Sequence, residues 1–278
     1  MGTAMTRRRL LGLWLAGLSA PMAACGPERS SKNILMLKQI QQKQDRQVSK
    51  QGRLLARPAQ QTQTAPLGLQ ELGLDAKRDG LLYVPATYLV ERPAPLVVML
   101  HGAGGDARGG LTPFLHLADA AGLILLAPPS RQRTWDIILD RYGPDISFIN
   151  AALEQTFSRY AVDPAHIAIE GFSDGASYAL SVGITNGDLF THAIAFSPGF
   201  MAPEEVRGKP HLFISHGTQD RVLPIDTCSR KLVPPLQRAG YDVLYREFND
   251  GHTIPKALIR TALAWFTGKL PDKGSTKL

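Results

Sequence analysis

The sequence predicts a three-layer α/β sandwich around a mostly parallel sheet, and three observations support this. Apolar runs of four to six residues recur without polar alternation, which is typical of strands covered on both faces. Helical patterns fill the intervals, so strands and helices alternate as they do in parallel α/β folds. The length of 278 residues suits one large domain of this class.

The elements follow in order along the chain. Arg53–Arg57 and Leu67–Leu72 are expected to form a hairpin around a polar turn, and Leu81–Val84 to add a further antiparallel strand. The predicted parallel strands are Leu96–Leu100, Leu123–Ala127, His166–Glu170, Ala193–Phe196, Leu212–Ser215 and Val243–Phe248. The predicted helices are about Gly110–Ala121, Asp145–Tyr160, Gly175–Asn186, Thr227–Ala239 and Ile254–Phe266.

The composition is that of an ordinary globular protein, with 44% hydrophobic and 20% charged residues. The formal charge is +7, but the basic excess lies in residues 1–51, and the charges balance from residue 52 onward. Nucleic-acid binding needs clustered positive charge on a folded face or a long basic arm, so we expect no nucleic-acid partner. No apolar run approaches the ~20 residues that span a bilayer, which excludes a polytopic membrane protein.

Residues 1–24 are predicted to be an export signal. Arg7–Arg9 precede a short apolar stretch, and the pair Arg7-Arg8 resembles the bacterial twin-arginine signal. Ala23-Ala24-Cys25 resembles a lipobox, so Cys25 is a lipidation candidate, although Met22 stands where leucine is usual. The expected location is then the periplasm or cell envelope. The alternative is cleavage near Ala24 by ordinary signal peptidase, which gives a soluble secreted form.

The remaining chain divides into three parts. Residues 25–51 are predicted to be a basic polar tether, residues 52–270 the folded domain, and residues 271–278 a C-terminal tail. A lipid anchor on Cys25 would be the only contact of the chain with a membrane. Cys228 is expected to be an inert, partly buried residue, and the alternative of a catalytic thiol lacks a neighbour that would lower its pKa.

The segment Gly171-Phe172-Ser173-Asp174-Gly175 lies between a predicted strand and a predicted helix. It fits G-x-S-x-G, a sharp turn that holds a nucleophilic serine in a strained conformation. Side chains at Gly171 and Gly175 would collide with each other or with the sheet. Ser173 is therefore the predicted nucleophile, above a helix N-terminus whose dipole favours a developing anion. The alternative is a tight turn with a structural serine.

A serine hydroxyl needs a base that takes its proton. His252, in the loop after the last predicted strand, is the candidate base, since the other histidines stand at strand ends, strand starts or on predicted helices. Asp220 follows a predicted strand and is expected to orient the imidazole and stabilise its charged form. Asp226 and Asp250 are rival acids, but Asp226 lies deeper in the loop and Asp250 would need a tight local fold.

The oxyanion of a tetrahedral intermediate needs backbone N–H donors. Asp174, directly after the nucleophile, is expected to supply one of them. The Gly-rich turn His101–Asp106 is expected to supply the other, from Ala103 rather than from Gly102. The same turn could cradle a phosphate, but it lacks the lysine and the spacing of a P-loop.

These motifs together resemble the α/β-hydrolase superfamily, in which nucleophile, acid and base follow in that order. More narrowly, LHGAGGD at 100–106, GFSDGASYAL at 171–180, HGTQDRVLPID at 216–226 and DGHTIP at 250–255 resemble bacterial serine esterases of the phospholipase/carboxylesterase group and polyhydroxybutyrate-depolymerase-type esterases. The resemblance covers about Leu81 to Phe266 and identifies residues 52–270 as an α/β-hydrolase catalytic domain. It implies hydrolysis of small-molecule or polymer-borne esters through an acyl-enzyme, with no metal and no organic cofactor.

The resemblance also implies that no large cap domain covers the site, because only Ser197–His211 stands where caps usually occur. An open site suits short-chain or aryl esters. The stretch Pro128–Trp135 is expected to wall the pocket, with Trp135 either lining it or lying in the core. Phe172, Phe200 and Leu223 are further candidates for this pocket.

Other functions compete with an esterase. A thioesterase or polyester depolymerase would use the same residues. A peptidase of the prolyl-oligopeptidase type usually brings a propeller or gating domain, which this sequence does not indicate. A non-catalytic lipoprotein on this fold would not need a nucleophile, a base, an acid and the Gly-rich turn His101–Asp106, here called the oxyanion turn, all together.

Overall fold

An eight-stranded sheet forms the centre of the computed structural model, which describes Ser49 and residues 51–61 and 65–268. The strands are β1 (Gly68–Glu71), β2 (Leu81–Val84), β3 (Ala94–Leu100), β4 (Ile124–Ala127), β5 (Val162–Phe172), β6 (His192–Phe196), β7 (His211–Gly217) and β8 (Val243–Phe248). Their order across the sheet is β1-β2-β4-β3-β5-β6-β7-β8. The pairs β1–β2 and β2–β4 are antiparallel, and every later pair is parallel.

The helices are α1 (Ala107–Leu111), α2 (Ala118–Ala121), α3 (Asp136–Leu139), α4 (Pro144–Arg159), α5 (Asp174–Thr185), α6 (Ser229–Arg238) and α7 (Lys256–Phe266), with a 3-10 turn at Leu115–Leu117. Helices α4 to α7 lie close to their predicted bounds. The helix predicted over Gly110–Ala121 is broken into shorter pieces, because Pro113 has no N–H to continue a helix through that position. The short helix α3 was not predicted.

Alternate residues of the central strands face two separate hydrophobic layers. Val98 of β3 and Ile169 of β5 belong to the layer that contains residues of α4 and α5. Val97 of β3 and Ala168 of β5 belong to the layer that contains residues of α1 and α7. Because both faces are covered, the strands have the continuous apolar runs seen in the sequence. The predicted three-layer sandwich with an antiparallel start is confirmed.

The predicted hairpin of Arg53–Arg57 with Leu67–Leu72 is wrong. Residues 53–57 form no strand, and β1 pairs instead with β2. The segment instead packs against the domain: Arg53 forms an ion pair with Asp188, and the Leu54 side chain is fully buried. Leu54 and Ala56 are buried whereas Leu55 and Arg57 are exposed, so residues 54–57 have the sequence pattern of a strand although no neighbouring strand pairs with them.

Residues 197–210 contain no helix and no strand, so no cap domain lies between β6 and β7. Within the described ranges, no helix is both long enough and apolar enough to cross a membrane. Cys228 is buried. The predicted export signal with Cys25, nearly all of the predicted tether, and the tail at residues 271–278 lie outside the described residues.

Candidate active site

Ser173 lies at the turn between β5 and α5, with φ 57° and ψ −121°, a conformation that residues other than glycine rarely adopt. A side chain at Gly171 would overlap the backbone of Gly175, and one at Gly175 would overlap the carbonyl of Leu100. The Ser173 N–H donates to the Phe196 carbonyl oxygen at 2.9 Å, which ties the turn to β6. Ser173 therefore has the backbone geometry that its motif predicts.

Three side chains from separate loops form one hydrogen-bonded chain. The Ser173 hydroxyl donates to Nε2 of His252 at 2.8 Å, and Nδ1 of His252 donates to Oδ2 of Asp220 at 2.6 Å. The three residues follow β5, β8 and β7, whose carboxyl ends lie on the same edge of the sheet. The structure thus brings the predicted nucleophile, base and acid into contact, and their catalytic roles are proposed below.

The Asp220 carboxylate is held by its own loop. Its Oδ1 accepts hydrogen bonds from the N–H groups of Val222 at 2.9 Å and Leu223 at 2.8 Å. Burial raises the pKa of Asp220, but the hydrogen bonds from Leu223 and His252 outweigh it and leave the pKa below its ordinary value. Asp220 therefore carries a negative charge beside the imidazole.

The two rival acids lie elsewhere. Asp226 forms an ion pair with Arg230, and its side chain is 75% exposed. The Asp250 carboxylate accepts a hydrogen bond from the Gly251 N–H at 2.7 Å. Neither carboxylate bonds to His252, so Asp220 is the acid that the fold presents to the imidazole.

A second histidine, His216, lies behind the acid and is fully buried. Its Nε2 is 2.8 Å from the Leu223 carbonyl oxygen and 3.3 Å from Oδ2 of Asp220. Because a carbonyl only accepts, Nε2 carries the proton, and Nδ1 accepts from the Ser229 hydroxyl at 2.7 Å. Burial lowers the pKa of His216, which favours this neutral form. The sequence indicated only a loop hydrogen bond for His216, because its contact with the acid depends on how the loop folds.

The two predicted oxyanion donors are the N–H groups of Ala103 and Asp174. Neither N–H donates to an acceptor within the part of the chain that the structure describes. The turn lies beside the nucleophile, since a Cβ built on Gly102 would be 3.5 Å from Cβ of Ser173. Both amides are thus free to donate to a ligand next to Ser173.

His101 braces the oxyanion turn from its first residue. Its Nδ1 donates to the Gly102 carbonyl oxygen at 2.7 Å, and its Nε2 accepts from the Ser130 N–H at 2.9 Å. Burial lowers the pKa of His101, so the ring is neutral in this tautomer. Nε1 of Trp135 donates to the His101 carbonyl oxygen at 2.9 Å.

Arg78, from the loop between β1 and β2, holds the other end of the oxyanion turn. Its Nη2 donates to the Gly105 carbonyl oxygen at 2.9 Å, and its Nε donates to the Ser130 carbonyl oxygen at 2.7 Å. Sequence reasoning missed Arg78, because no local pattern indicates that this loop reaches a turn 27 residues away.

Two further hydrogen bonds fasten the turn that carries Ser173. The Thr134 hydroxyl donates to Oδ2 of Asp174 at 2.6 Å, which gives the Asp174 side chain a contact that the sequence left open. The Ser177 hydroxyl oxygen accepts from the Gly199 N–H at 2.9 Å, and the hydroxyl donates to the Ser173 carbonyl oxygen at 3.3 Å. Sequence reasoning missed Thr134 and Ser177, since neither lies in a recognisable motif.

The predicted pocket residues separate into two groups. Trp135 has no exposed surface and stacks on Tyr178 at 4.8 Å between ring centroids, so it lies in the core rather than on an open pocket wall. Phe172 is half-buried, with its ring centroid 4.7 Å from that of His252. Phe200 and Leu223 are also half-buried and stay candidates for substrate contact.

The chain is similar in sequence to known esterases. Residues 137–266, which contain Ser173, Asp220 and His252, match the family described as Phospholipase/Carboxylesterase. A probable feruloyl esterase C of Aspergillus niger is 27% identical over 157 residues, covering 54% of this chain and 57% of that protein. The chain thus spans little more than half the length of such relatives. An acetylxylan esterase of Coprinopsis cinerea is 36% identical over 106 residues, covering 34% of this chain and 28% of that protein.

Solved structures are similar to the fold as a whole. The crystal structure of esterase PE8 has a TM-score of 0.57 and 25% sequence identity, and the match covers 68% of this chain and 97% of that one. A ferulic acid esterase from Anaeromyces mucronatus has a TM-score of 0.54 and 18% identity, covering 75% of this chain and 93% of that one. These likenesses identify the three-layer sandwich as the α/β-hydrolase fold.

Proposed function

We propose that this chain, an α/β-hydrolase by its fold and by its match to the phospholipase/carboxylesterase family, is a serine esterase that cleaves carboxylic esters. The observation that carries the proposal is the hydrogen-bonded chain from Ser173 through His252 to Asp220. It lies beside two backbone N–H groups, at Ala103 and Asp174, that have no acceptor among the residues that the structure describes. A nucleophile, a base, an acid and an anion site within reach of one another are what acyl transfer requires.

In the first half of the reaction, the Ser173 oxygen attacks the ester carbonyl carbon while Nε2 of His252 takes the hydroxyl proton. The carbonyl oxygen becomes an oxyanion that accepts hydrogen bonds from the Ala103 and Asp174 N–H groups. The ionised Asp220 carboxylate stabilises the imidazolium that forms. The intermediate then collapses, the bond to the leaving oxygen breaks, and His252 returns its proton to the departing alcohol.

In the second half, a water molecule attacks the acyl-enzyme and His252 takes its proton. The second tetrahedral intermediate uses the same two N–H donors, and its collapse releases the carboxylic acid while the proton returns to Ser173. The N-terminus of α5, which starts at Asp174, adds a favourable dipole for both oxyanions. The hydrogen bonds that fasten the oxyanion turn keep the donors in position through both halves.

We propose short-chain or aryl esters as substrates, either free or carried on a polymer. The absence of a cap between β6 and β7 supports this, because long-chain esters generally need more apolar cover. Relatives named feruloyl esterase and acetylxylan esterase, one for an aryl acid and one for a short acid, are consistent with it. Thioesters and polyesters would react by the same steps.

The esterase activity is tested with a series of 4-nitrophenyl esters of increasing acyl length. We expect turnover that is highest for short acyl chains and that falls by several orders of magnitude in Ser173→Ala. Ser158→Ala is a matched control, because Ser158 is exposed on α4, away from the site. Undiminished turnover in Ser173→Ala would refute the nucleophile, and a maximum at long acyl chains would refute the substrate class.

We also propose export to the cell envelope, with Cys25 as the lipidated N-terminus. The support is the sequence of residues 1–25 alone. Mass spectrometry of the mature N-terminus in a bacterial host tests this directly. A diacylglyceryl-modified Cys25 is the expected result. A mature chain in which Cys25 is unmodified would refute the lipid anchor.

A further inference from the structure

Glu170 carries a fully buried carboxyl group close to the proposed nucleophile. It lies in β5, three residues before the nucleophile, and is 1% exposed. Neither of its carboxyl oxygens has a hydrogen-bond partner among the described residues. A buried polar group of this kind costs free energy and is rare in native proteins, so it calls for an explanation. The steps proposed for ester hydrolysis make no use of it.

Glu170 is one of the residues that line a cavity of about 770 Å³. The walls are mostly apolar and include Phe172, Ile254 and Ile259, together with backbone of Gly102 and Ala103. Side chains alternate along a strand, so Glu170 points to the same face of the sheet as Phe172, towards α1 and α7. The volume is within the range of small-molecule sites.

The cavity adjoins the proposed active site on two sides. Gly102 lies against Ser173, and Ala103 carries one of the proposed oxyanion donors. Phe172 packs against the ring of His252. Ser173 and His252 do not line the cavity themselves, so a substituent of an ester bound at Ser173 would enter it by passing Phe172 or the Gly102–Ala103 segment. Glu170 lies two positions before Phe172 on β5, which is about 7 Å along the strand.

Charge around the cavity restricts what it can bind. Lys256 and Arg260 line it with exposed side chains, and His116 lines it as well. Apart from Glu170, no acidic residue of the described chain lines it. A cationic group would have to pass Lys256 and Arg260, which repel it. An anionic group would have to leave water and enter an apolar interior, at a large cost in free energy.

Burial raises the pKa of Glu170 well above its ordinary value, because no positive charge compensates an ionised form. The neutral carboxyl group has one O–H donor and a carbonyl acceptor. A hydroxyl group matches both, since it accepts one hydrogen bond and donates another. The carboxyl oxygens are shielded from bulk water, so recognition of a group in the cavity requires the Glu170 side chain to turn towards it.

We propose that this cavity is a substrate subsite that selects an uncharged, apolar substituent ending in a hydroxyl group, and that Glu170 is the residue that recognises the hydroxyl. The inference rests on the proposed esterase function and names the chemical class of its substrate. A phenol or a hydroxyalkyl group on the acid or on the alcohol of the ester has this chemistry.

The test compares ester pairs that differ by one hydroxyl group. The acid-side pair is methyl 3-phenylpropionate and its 4-hydroxyphenyl counterpart, and the alcohol-side pair is 2-phenylethyl acetate and its 4-hydroxyphenyl counterpart. We expect the hydroxylated member of one pair to have about tenfold higher kcat/KM, the value of one buried hydrogen bond. A ratio near one in both pairs, with turnover of both, overturns the inference while leaving the esterase intact. No turnover of any ester refutes the proposed function instead.

Two substitutions assign the preference to Glu170. Glu170→Leu should bring the ratio to about one, whereas Glu170→Gln, which keeps a donor and an acceptor, should retain most of it. Glu154→Leu is the matched control, because Glu154 is exposed on α4 at the opposite face of the sheet, and its ratio should equal that of the wild type. If Glu170→Leu does not fold, Glu170→Met replaces it. A ratio unchanged in Glu170→Leu or Glu170→Met overturns the assignment.

Discussion

The imidazole of His216 lies 3.3 Å from the same Asp220 carboxylate oxygen that accepts the hydrogen bond of His252 at 2.6 Å. Two histidines thus share one carboxylate oxygen, and only His252 also reaches Ser173. Because Nε2 of His216 also donates to the Leu223 carbonyl oxygen, His216 links the acid to the loop that holds it. His216 is therefore a positioning residue for Asp220, without contact with the reacting atoms.

His216→Gln should lower kcat by about tenfold, because the variant disturbs both the 3.3 Å contact with Asp220 and the hydrogen bond to the Leu223 carbonyl, and a loosened carboxylate orients His252 less well. KM should change little, because His216 does not touch the substrate. Steady-state kinetics measure kcat and KM, and thermal unfolding shows whether the variant is folded. The control is His211→Gln, whose side chain is exposed and bonds to Asp242. A wild-type kcat in His216→Gln would contradict the positioning role.

Arg78→Ala should lower kcat by about tenfold or more, because the Gly105 carbonyl loses its donor and the oxyanion turn loosens. Loss of a whole oxyanion donor costs about a hundredfold to a thousandfold, which sets the upper limit. Arg78→Lys should restore little of the lost kcat, since one ammonium group cannot replace the two guanidinium N–H donors that bond to the Gly105 and Ser130 carbonyls. Arg159→Ala, exposed on α4, is the control. Equal kcat for Arg78→Ala and Arg159→Ala would refute this role.

Gly171→Ala should give a protein that is inactive and destabilised by several kcal/mol, because the added methyl overlaps backbone atoms that cannot move away. Gly109→Ala is the matched control, since its nearest new contact is 3.5 Å away and alanine favours the helix α1. Urea denaturation of the two variants compares their free energies of unfolding. A Gly171→Ala protein as stable as Gly109→Ala would contradict the geometry of the turn.

Glu170 should make the domain less stable as pH rises. Its pKa is raised by burial in the folded protein, whereas an unfolded glutamate has a pKa of about 4.3. Between these values the folded state keeps a proton that the unfolded state has lost. The free energy of unfolding therefore falls by about 1.4 kcal/mol per pH unit from this residue, and the contribution is constant below the unfolded pKa.

Urea denaturation of wild type and Glu170→Gln at pH 5, 6 and 7 measures this slope. The difference between the two proteins isolates Glu170, because Asp145, whose pKa burial raises to about 7, contributes equally to both. We expect the difference to shift in favour of Glu170→Gln as pH rises. Parallel curves would mean that Glu170 does not bind a proton in the folded protein.

The sequence predicted the parallel strands, helices α4 to α7 and the contact of Ser173, Asp220 and His252, because each depends on a local signal. A buried strand is recognised as an apolar run. A short motif directly after such a run places its residues at the carboxyl end of that strand, and hence at one edge of the sheet. The broken helix near Pro113 has a local signal as well, although the prediction did not use it.

The parts that sequence reasoning missed depend on distant contacts. Arg53 has the pattern of a strand residue, yet its partner is Asp188, 135 positions away. Arg78 and His216 serve the site through loops whose paths no local pattern encodes. Glu170 stands in an apolar strand, where its carboxyl group is visible in the sequence, but that it has no hydrogen-bond partner among the described residues is a property of the folded core.

The central claim is that Ser173 is a nucleophile activated by His252, and active-site labelling tests it most directly. The protein is treated with a fluorophosphonate and the labelled peptide is identified by mass spectrometry. We expect one label per chain on the peptide that contains Ser173, no label at that site in Ser173→Ala, and labelling at least about a thousandfold slower in His252→Ala. Labelling on another residue, or at an unchanged rate in His252→Ala, would contradict the account.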